Sequence, residues 1–363
     1  MTRALEDMQA DFTRVANALV AWIECEPVAT VEQQAQVLGI STRSVVQQLM
    51  WIVQERCSAD GMQRAVSMEL SVDPVDGPPV WPLDSLPHNI LTLAAGTVPA
   101  LALESCALTL ALGANAFCKP SRTDVLLQPF ADFLNGHDPK LGERLRIVND
   151  IPWDTCDGAF IYGSAETIAL AREHLPGAPV AAYGPREAIA VVDTLPADGL
   201  GALASDIARF AQRGCMSPRT VLVHEDQYDM VTQQLADALD ECVAQLCPDA
   251  EADPVSVRRQ LDADALTAML DGTPPPLHIT RGACTIAVLP YANDTAVFAA
   301  CSNRLDTAQT AVVVASSDRF QELGELLLDA GCSRICAAGQ AHYPRADWPH
   351  DGIGRIAPLL SMQ

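Results

Sequence analysis

At 363 residues and 49% hydrophobic content, the chain is long enough to bury the cores of two domains. A formal net charge of −23, with basic residues clustered only in pairs such as Arg258-Arg259, excludes a general affinity for nucleic-acid backbones or anionic membrane surfaces. Charged residues are only 19% and no repeat or low-complexity tract is present, which excludes disordered and solenoid architectures.

Residues 1–60 read as a helical arm. Phe12, Val15, Leu19 and Ile23, and later Val45, Val46, Leu49, Met50 and Val53, recur at helical spacing, with a break at Leu38-Gly39-Ile40 and a fresh N-cap at Ser41. The same pattern suits a DNA-binding helix-turn-helix. Its second helix, however, offers a groove only Arg43, Gln47 and Gln48, within a strongly acidic chain. An arm packed on its own protein or on a partner subunit is the expectation. Residues 61–89 are richer in Pro, Gly and Asp and read as strands and turns leading inward.

From Ile90 onward, short apolar runs alternate with amphipathic stretches. One apolar run ends at Phe117-Cys118, and others span 158–162 and 179–182, with helices over 98–113, 124–135 and 166–174. A second alternating block has strands at 189–192 and 220–223 and helices over 200–213 and 228–246, followed by segments at 286–289, 295–302, 311–315 and 321–331. Pro248–Pro254 and Gly272–Pro276 read as loops. Strands alternating with helices predict parallel sheets covered on both faces. The apolar stretch 90–118 contains Glu104 and Pro99 within a strand-plus-helix pattern, a poor membrane span. The N-terminus lacks the basic start and apolar core of a secretory leader, so the cytoplasm is the expected location. Twelve cysteines show no zinc-site spacing, so no metal is expected, and most read as small core residues in a reducing compartment.

Three constellations could carry chemistry. Gly96-Thr97-Val98-Pro99 precedes a helix and then Lys119-Pro120-Ser121, where a lysine closes an apolar run and must reach an anion or water. Gly163-Ser164-Ala165-Glu166 ends a strand and opens a helix, a place suited to a pyrophosphate. Gln212-Arg213-Gly214-Cys215-Met216-Ser217-Pro218 sets a thiol on a loop between two regular elements, where a carbonyl could approach. Each alone also suits an ordinary turn or a structural cysteine.

In this order and spacing the three segments resemble the aldehyde dehydrogenase superfamily, and within it the acyl-CoA reductases of the bioluminescence fatty-acid-reductase type. There the nucleophile element reads Gly-Cys-x-Ser-Pro, and a Gly-Asn-Val-Pro element precedes the lysine strand. The tail, Gly339–Pro344 and Asp347–Gly352, is also similar. The likeness covers roughly residues 85–363. It implies an α/β, aldehyde dehydrogenase-like fold of two three-layer domains behind the helical arm (1–60). A Rossmann-like cofactor domain (61–183), a catalytic domain (184–338) and a C-terminal tail (339–363) would follow.

The implied activity is reduction of an acyl thioester, on CoA or a carrier, to an aldehyde. The resemblance gives Cys215 as nucleophile, Thr97 at the oxyanion position, and Lys119, Ser121, Arg122, Gly163, Ser164 and Glu166 at the cofactor. It implies a homo-oligomer and an acyl-activating or acyl-transferring partner enzyme. Arg122 stands where NAD-using relatives carry a carboxylate, which favours NADPH, with NADH as the alternative. Thr97 replaces the family asparagine, and Asn89 is the nearest substitute upstream. Ala182 stands where aldehyde oxidisers carry their general base, and loops before Asp157 and after Pro248 are short. These departures support an alternative: a weakened or inactive family member serving as a subunit or scaffold for an acyl-activating partner.

Overall fold

A computed structural model describes residues 5–25, 28–70, 86–195, 199–271, 275–302 and 308–360. They form two compact units. The first comprises residues 1–37, 45–185 and 345–363, the second residues 38–44 and 186–344.

The arm is helical, as its periodicity requires: α1 (Leu5–Cys25), α2 (Val28–Leu38), α3 (Thr42–Trp51), a π-helical turn (Ile52–Arg56) and α4 (Ala59–Leu70). Met8, Phe12, Val15, Leu19 and Trp22 form the buried stripe of α1, and Trp22 meets Phe130 edge-to-face at 5.4 Å. Helix α4 replaces the strands and turns expected from residue 61, because Met62, Ala65, Val66 and Leu70 bury at helical spacing. The rest of that expectation, residues 71–85, lies outside the described residues. The Gln34 side chain of α2 is buried, donating to the Thr123 carbonyl (2.9 Å) and accepting from the Val125 N–H (3.0 Å). Gln48 of α3 is buried too, so both glutamines lie within the protein.

The first unit continues with β1 (Asn89–Leu93), α5 (Leu101–Ala111), β2 (Asn115–Lys119), α6 (Leu127–His137), α7 (Pro139–Gly142), β3 (Leu145–Ile147), β4 (Gly158–Tyr162), α8 (Ala165–His174) and β5 (Val180–Tyr183). All pairings are parallel, in the order β3-β2-β1-β4-β5. Ile90, Leu91 and Thr92 are fully buried in succession, as a strand covered on both faces demands. The chain winds outward from β1 through β2 to β3, then returns to the other side of β1 for β4. The β1/β4 boundary is therefore the topological switch point, where ligands of such sheets bind beyond the strands' carboxyl ends.

The second unit holds β6 (Glu187–Val192), α9 (Gly199–Ala208), β7 (Pro218–His224), α10 (Tyr228–Leu246), α11 (Pro254–Asp271), β8 (Leu277–Arg281), β9 (Cys284–Tyr291), α12 (Asp294–Ser302), β10 (Ala308–Val314), α13 (Ser317–Asp329) and β11 (Arg334–Ala337). Its order is β11-β10-β6-β7-β9-β8, with only the edge strand β8 antiparallel. Every residue of β10 is buried, and Ile189, Val191, Leu222, Val297, Val313, Leu323 and Leu327 share one core. Helix α9 stops at Ala208, five residues short of the predicted end. Beyond it, Phe210, Ala211 and Gln212 take left-handed φ of 54°, 54° and 58°. Among the described residues no helix is long and apolar enough to cross a membrane.

Candidate active site

The left-handed run leads directly into the Cys215 loop. A left-handed residue other than glycine costs roughly 1–2 kcal/mol, so three in succession require compensation from their surroundings. The buried Gln212 side chain supplies it. Its Nε2 donates to the Pro218 carbonyl (2.9 Å) and its Oε1 accepts the Thr285 N–H (2.8 Å), tying the loop's entry to its exit and to β9. Arg219 donates to the Gln212 carbonyl (2.9 Å), and Arg213 to the Leu38 carbonyl (2.7 Å). The Ser217 N–H donates to the Gly214 carbonyl (3.1 Å), closing a tight turn with Cys215 and Met216 at its centre. Cys215 is half-buried there, between helix end and strand start.

The other cysteines lack this setting. All twelve are thiols, nine of them buried. Cys25 is exposed at the end of α1, and Cys242, half-buried on α10, donates to the Gly201 carbonyl with its thiol pKa pushed up by burial. Of the buried pair beside Arg213, Cys284 is pushed up by its hydrogen bond to Cys247, and Cys247 is lowered by the same bond. Among the described residues no group of His, Cys, Asp and Glu could hold a metal ion.

The far end of the loop rests on buried polar groups that sequence reasoning missed. Ser217 Oγ donates to the Arg209 carbonyl (3.4 Å) and lies 3.3 Å from His342 Nε2, which also contacts the Asp206 carbonyl at 2.8 Å. The Asp206 carboxylate accepts the N–H groups of Gly339 (2.6 Å) and Ala341 (3.3 Å). Burial lowers the His342 pKa to about 3, so the ring is neutral, and burial lifts Asp206 to about 7 against those two N–H groups. The one available signal was His342 within the Gly339–Pro344 motif.

The remaining candidates belong to the first unit. Thr97 is exposed on the loop after β1, and Lys119 and Arg122 are exposed at and after the end of β2. Thr123 Oγ1 donates to the Gly96 carbonyl (2.7 Å) and lies 2.9 Å from Ser121 Oγ, so the two loops are joined. A Cβ on Gly96 would fall 1.9 Å from both hydroxyls, so only glycine fits. Ser121 is thereby committed to its neighbours. Gly163 follows β4, and Ser164 caps α8 by accepting the Thr167 N–H (3.4 Å). Glu166, fully exposed, has its carboxyl pKa lowered by the Ser164 hydroxyl. Asn89 opens β1 at the strand's other end, holding Asn115 (2.8 Å), so it cannot stand in for the family asparagine.

The sequence matches the profile of the Acyl-CoA reductase (LuxC) family over residues 86–270 and 279–362. The chain belongs to that family. No curated protein matched in a sequence search. Solved structures similar to this chain include aldehyde dehydrogenases. Aldehyde dehydrogenase 21 of Physcomitrella patens, solved with the product succinate, has a TM-score of 0.68 at 12% identity, covering 93% of this chain and 79% of that one. Succinate-semialdehyde dehydrogenase of Burkholderia pseudomallei gives 0.65 at 12%, with 92% and 78% covered. The NAD-dependent aldehyde dehydrogenase of Sinorhizobium meliloti gives 0.63 at 13%, with 92% and 74% covered. At these identities the likeness establishes the fold: this reductase-family member is an aldehyde dehydrogenase-like α/β protein.

A second missed cluster is a buried ion group in the first unit. Glu104 Oε1 accepts from Arg56 Nε and Arg355 Nη1, each at 2.8 Å, and Glu69 accepts the N–H groups of Arg355, Ile356 and Ala357 at 2.6–3.0 Å. The C-terminal tail is thereby fastened to α4 and α5. Glu104 was legible only as a lone charge in an apolar run.

Proposed function

We propose that this protein reduces acyl thioesters to aldehydes with NADPH, through an acyl-enzyme on Cys215. The observation that carries the reading is the strained left-handed run Phe210–Gln212, held by buried hydrogen bonds and delivering a half-buried cysteine to the centre of a tight turn. Unfavourable backbone conformations persist where a functional geometry must be maintained.

The first unit suits a dinucleotide. The carboxyl ends of β1 and β4 flank its switch point and lead into Gly96-Thr97 and Gly163-Ser164, and the exposed cations Lys119 and Arg122 lie at and just after the end of β2. Lys119 and Arg122 would hold phosphate groups, Arg122 favouring a 2′-phosphate. Gly163 admits close approach, and Ser164 with Glu166 would border the site at the start of α8. When bound, the reduced nicotinamide supplies a hydride equivalent to the acyl carbon.

Cys215 attacks the thioester carbonyl as the thiolate, forming its own carbon–sulfur bond as the donor's breaks and the donor thiolate leaves. Thr97 would donate to the developing oxyanion with one hydroxyl proton where relatives offer an amide. After reduction Cys215 departs as the thiolate and the aldehyde is released. Ala182 provides no carboxylate to activate water, which supports reduction over hydrolysis of the acyl-enzyme. The donor is acyl-CoA, a carrier-bound acyl group or an acyl-transferring partner, and the working form is a homo-oligomer.

Intact-protein mass spectrometry with a panel of acyl-CoAs tests this. Wild type should gain an acyl mass that NADPH discharges, and Cys215→Ala should gain none. No adduct from any thioester would favour the scaffold alternative that Thr97 motivates.

A further inference from the structure

We propose that His342 is a positioning residue for the nucleophile turn, acting through Ser217; the inference rests on the assignment of Cys215 as nucleophile. Cys215 is the second residue of the turn closed by the Ser217 N–H, so the geometry of Ser217 sets that of the thiol. Gln212 fixes the turn's entry. Its exit is fixed by the Ser217 hydroxyl, which is buried with His342 and 3.3 Å from its ring.

The ring is held from two directions. The Asp206 carbonyl lies 2.8 Å from Nε2, which requires the proton on Nε2, and the Asp206 carboxylate clamps the backbone on the residues just before His342. The Nε2 proton is thus shared between the Asp206 carbonyl and Ser217 Oγ, whose own proton goes to the Arg209 carbonyl. Phe210, the first residue of the left-handed run, packs edge-on against the ring at 5.3 Å. His342 therefore touches both ends of the loop: the strained run through Phe210 and the turn's last residue through Ser217. Removing it would free the exit of the turn and let the thiol drift from the productive angle of attack.

Single-turnover acylation of Cys215 at saturating acyl-CoA, in the full-length protein, tests this alongside peptide-resolved iodoacetamide alkylation of Cys215. His342→Ala should slow acylation about 10- to 100-fold, the cost of a misplacement near 1 Å. His342→Gln, whose amide N–H can occupy the Nε2 position, should recover most of the loss. The Ser217→Ala/His342→Ala double variant should be no slower than its slower single, because both act through one contact. Acylation of His342→Ala within about twofold of wild type, or full additivity in the double, would overturn the inference. Should His342→Ala fail to fold, Ser217→Ala decides by the same threshold. If wild type forms no acyl adduct, the functional assignment fails, and alkylation decides this inference: slowed in His342→Ala and restored in His342→Gln, it stands; unchanged, it falls.

Discussion

Replacing Glu104 by Gln tests whether the first unit depends on its buried ion group. The carboxylate is about nine-tenths buried and binds two arginines, each only 2% exposed, through Oε1. The desolvation of Glu104 opposes its charge, but Arg56 and Arg355 outweigh it and hold its pKa below the ordinary 4.5. Burial dominates at Arg56, whose pKa is lowered even with Glu104 present, so Arg56 is the partner left least compensated. Breaking a buried pair from one side costs about 3–5 kcal/mol, because the remaining charge is stranded. At about 2–4 °C per kcal/mol for a unit of this size, Tm should fall on the order of 10 °C.

Scanning calorimetry and urea unfolding at pH 7, with Trp51 and Trp348 as fluorescent reporters in the same unit, measure it. The gap between wild type and variant has a defined pH dependence. A depressed carboxylate pKa gives stabilisation that is complete above about 4.5 and lost as pH falls through the folded value, so the gap should close in acid. The triple variant Arg56→Met/Glu104→Leu/Arg355→Met should regain much of the loss, since packed apolar groups replace buried ion groups at little cost. A Glu104→Gln protein within about 1 kcal/mol of wild type at pH 7 would refute the reasoning.

Other expectations follow from the second unit and the cofactor loops. The Asp206 pKa, raised to about 7 from 3.8, contributes stability that is complete below 3.8 and lost as pH rises through about 7. That contribution should therefore decline between about pH 4 and 7, opposed by neighbouring His342, whose lowered pKa makes its own contribution rise with pH up to about 6.5; the stability difference between wild type and Asp206→Asn should fall as pH rises through 7 and level off above it. Gln212→Ala strands the Pro218 carbonyl and the Thr285 N–H, which should cost about 2–4 kcal/mol in urea unfolding and abolish acylation of Cys215. Arg122→Glu should reverse the NADPH-over-NADH preference in kcat/KM by about tenfold or more, whereas an unchanged ratio would remove Arg122 from the cofactor site.

The sequence by itself determined the alternation of strand and helix, because the apolar runs at 158–162, 179–182 and 189–192 can be buried only as strands between helices. It also determined the family, because the Cys215, Gly163 and Lys119 segments depend on local residue order. Local order did not reveal that helix α9 ends at Ala208. The left-handed run beyond it depends on Gln212 reaching Pro218 and Thr285, a contact spanning 73 residues in the latter case. Nor could it pair Glu104 with Arg355, 251 residues away, or bring His342 to Ser217, 125 residues away. Backbone conformation opposed by intrinsic preference and charge buried against its solvation cost are both stabilised only by distant partners. Those partners are brought within reach by the tertiary structure alone.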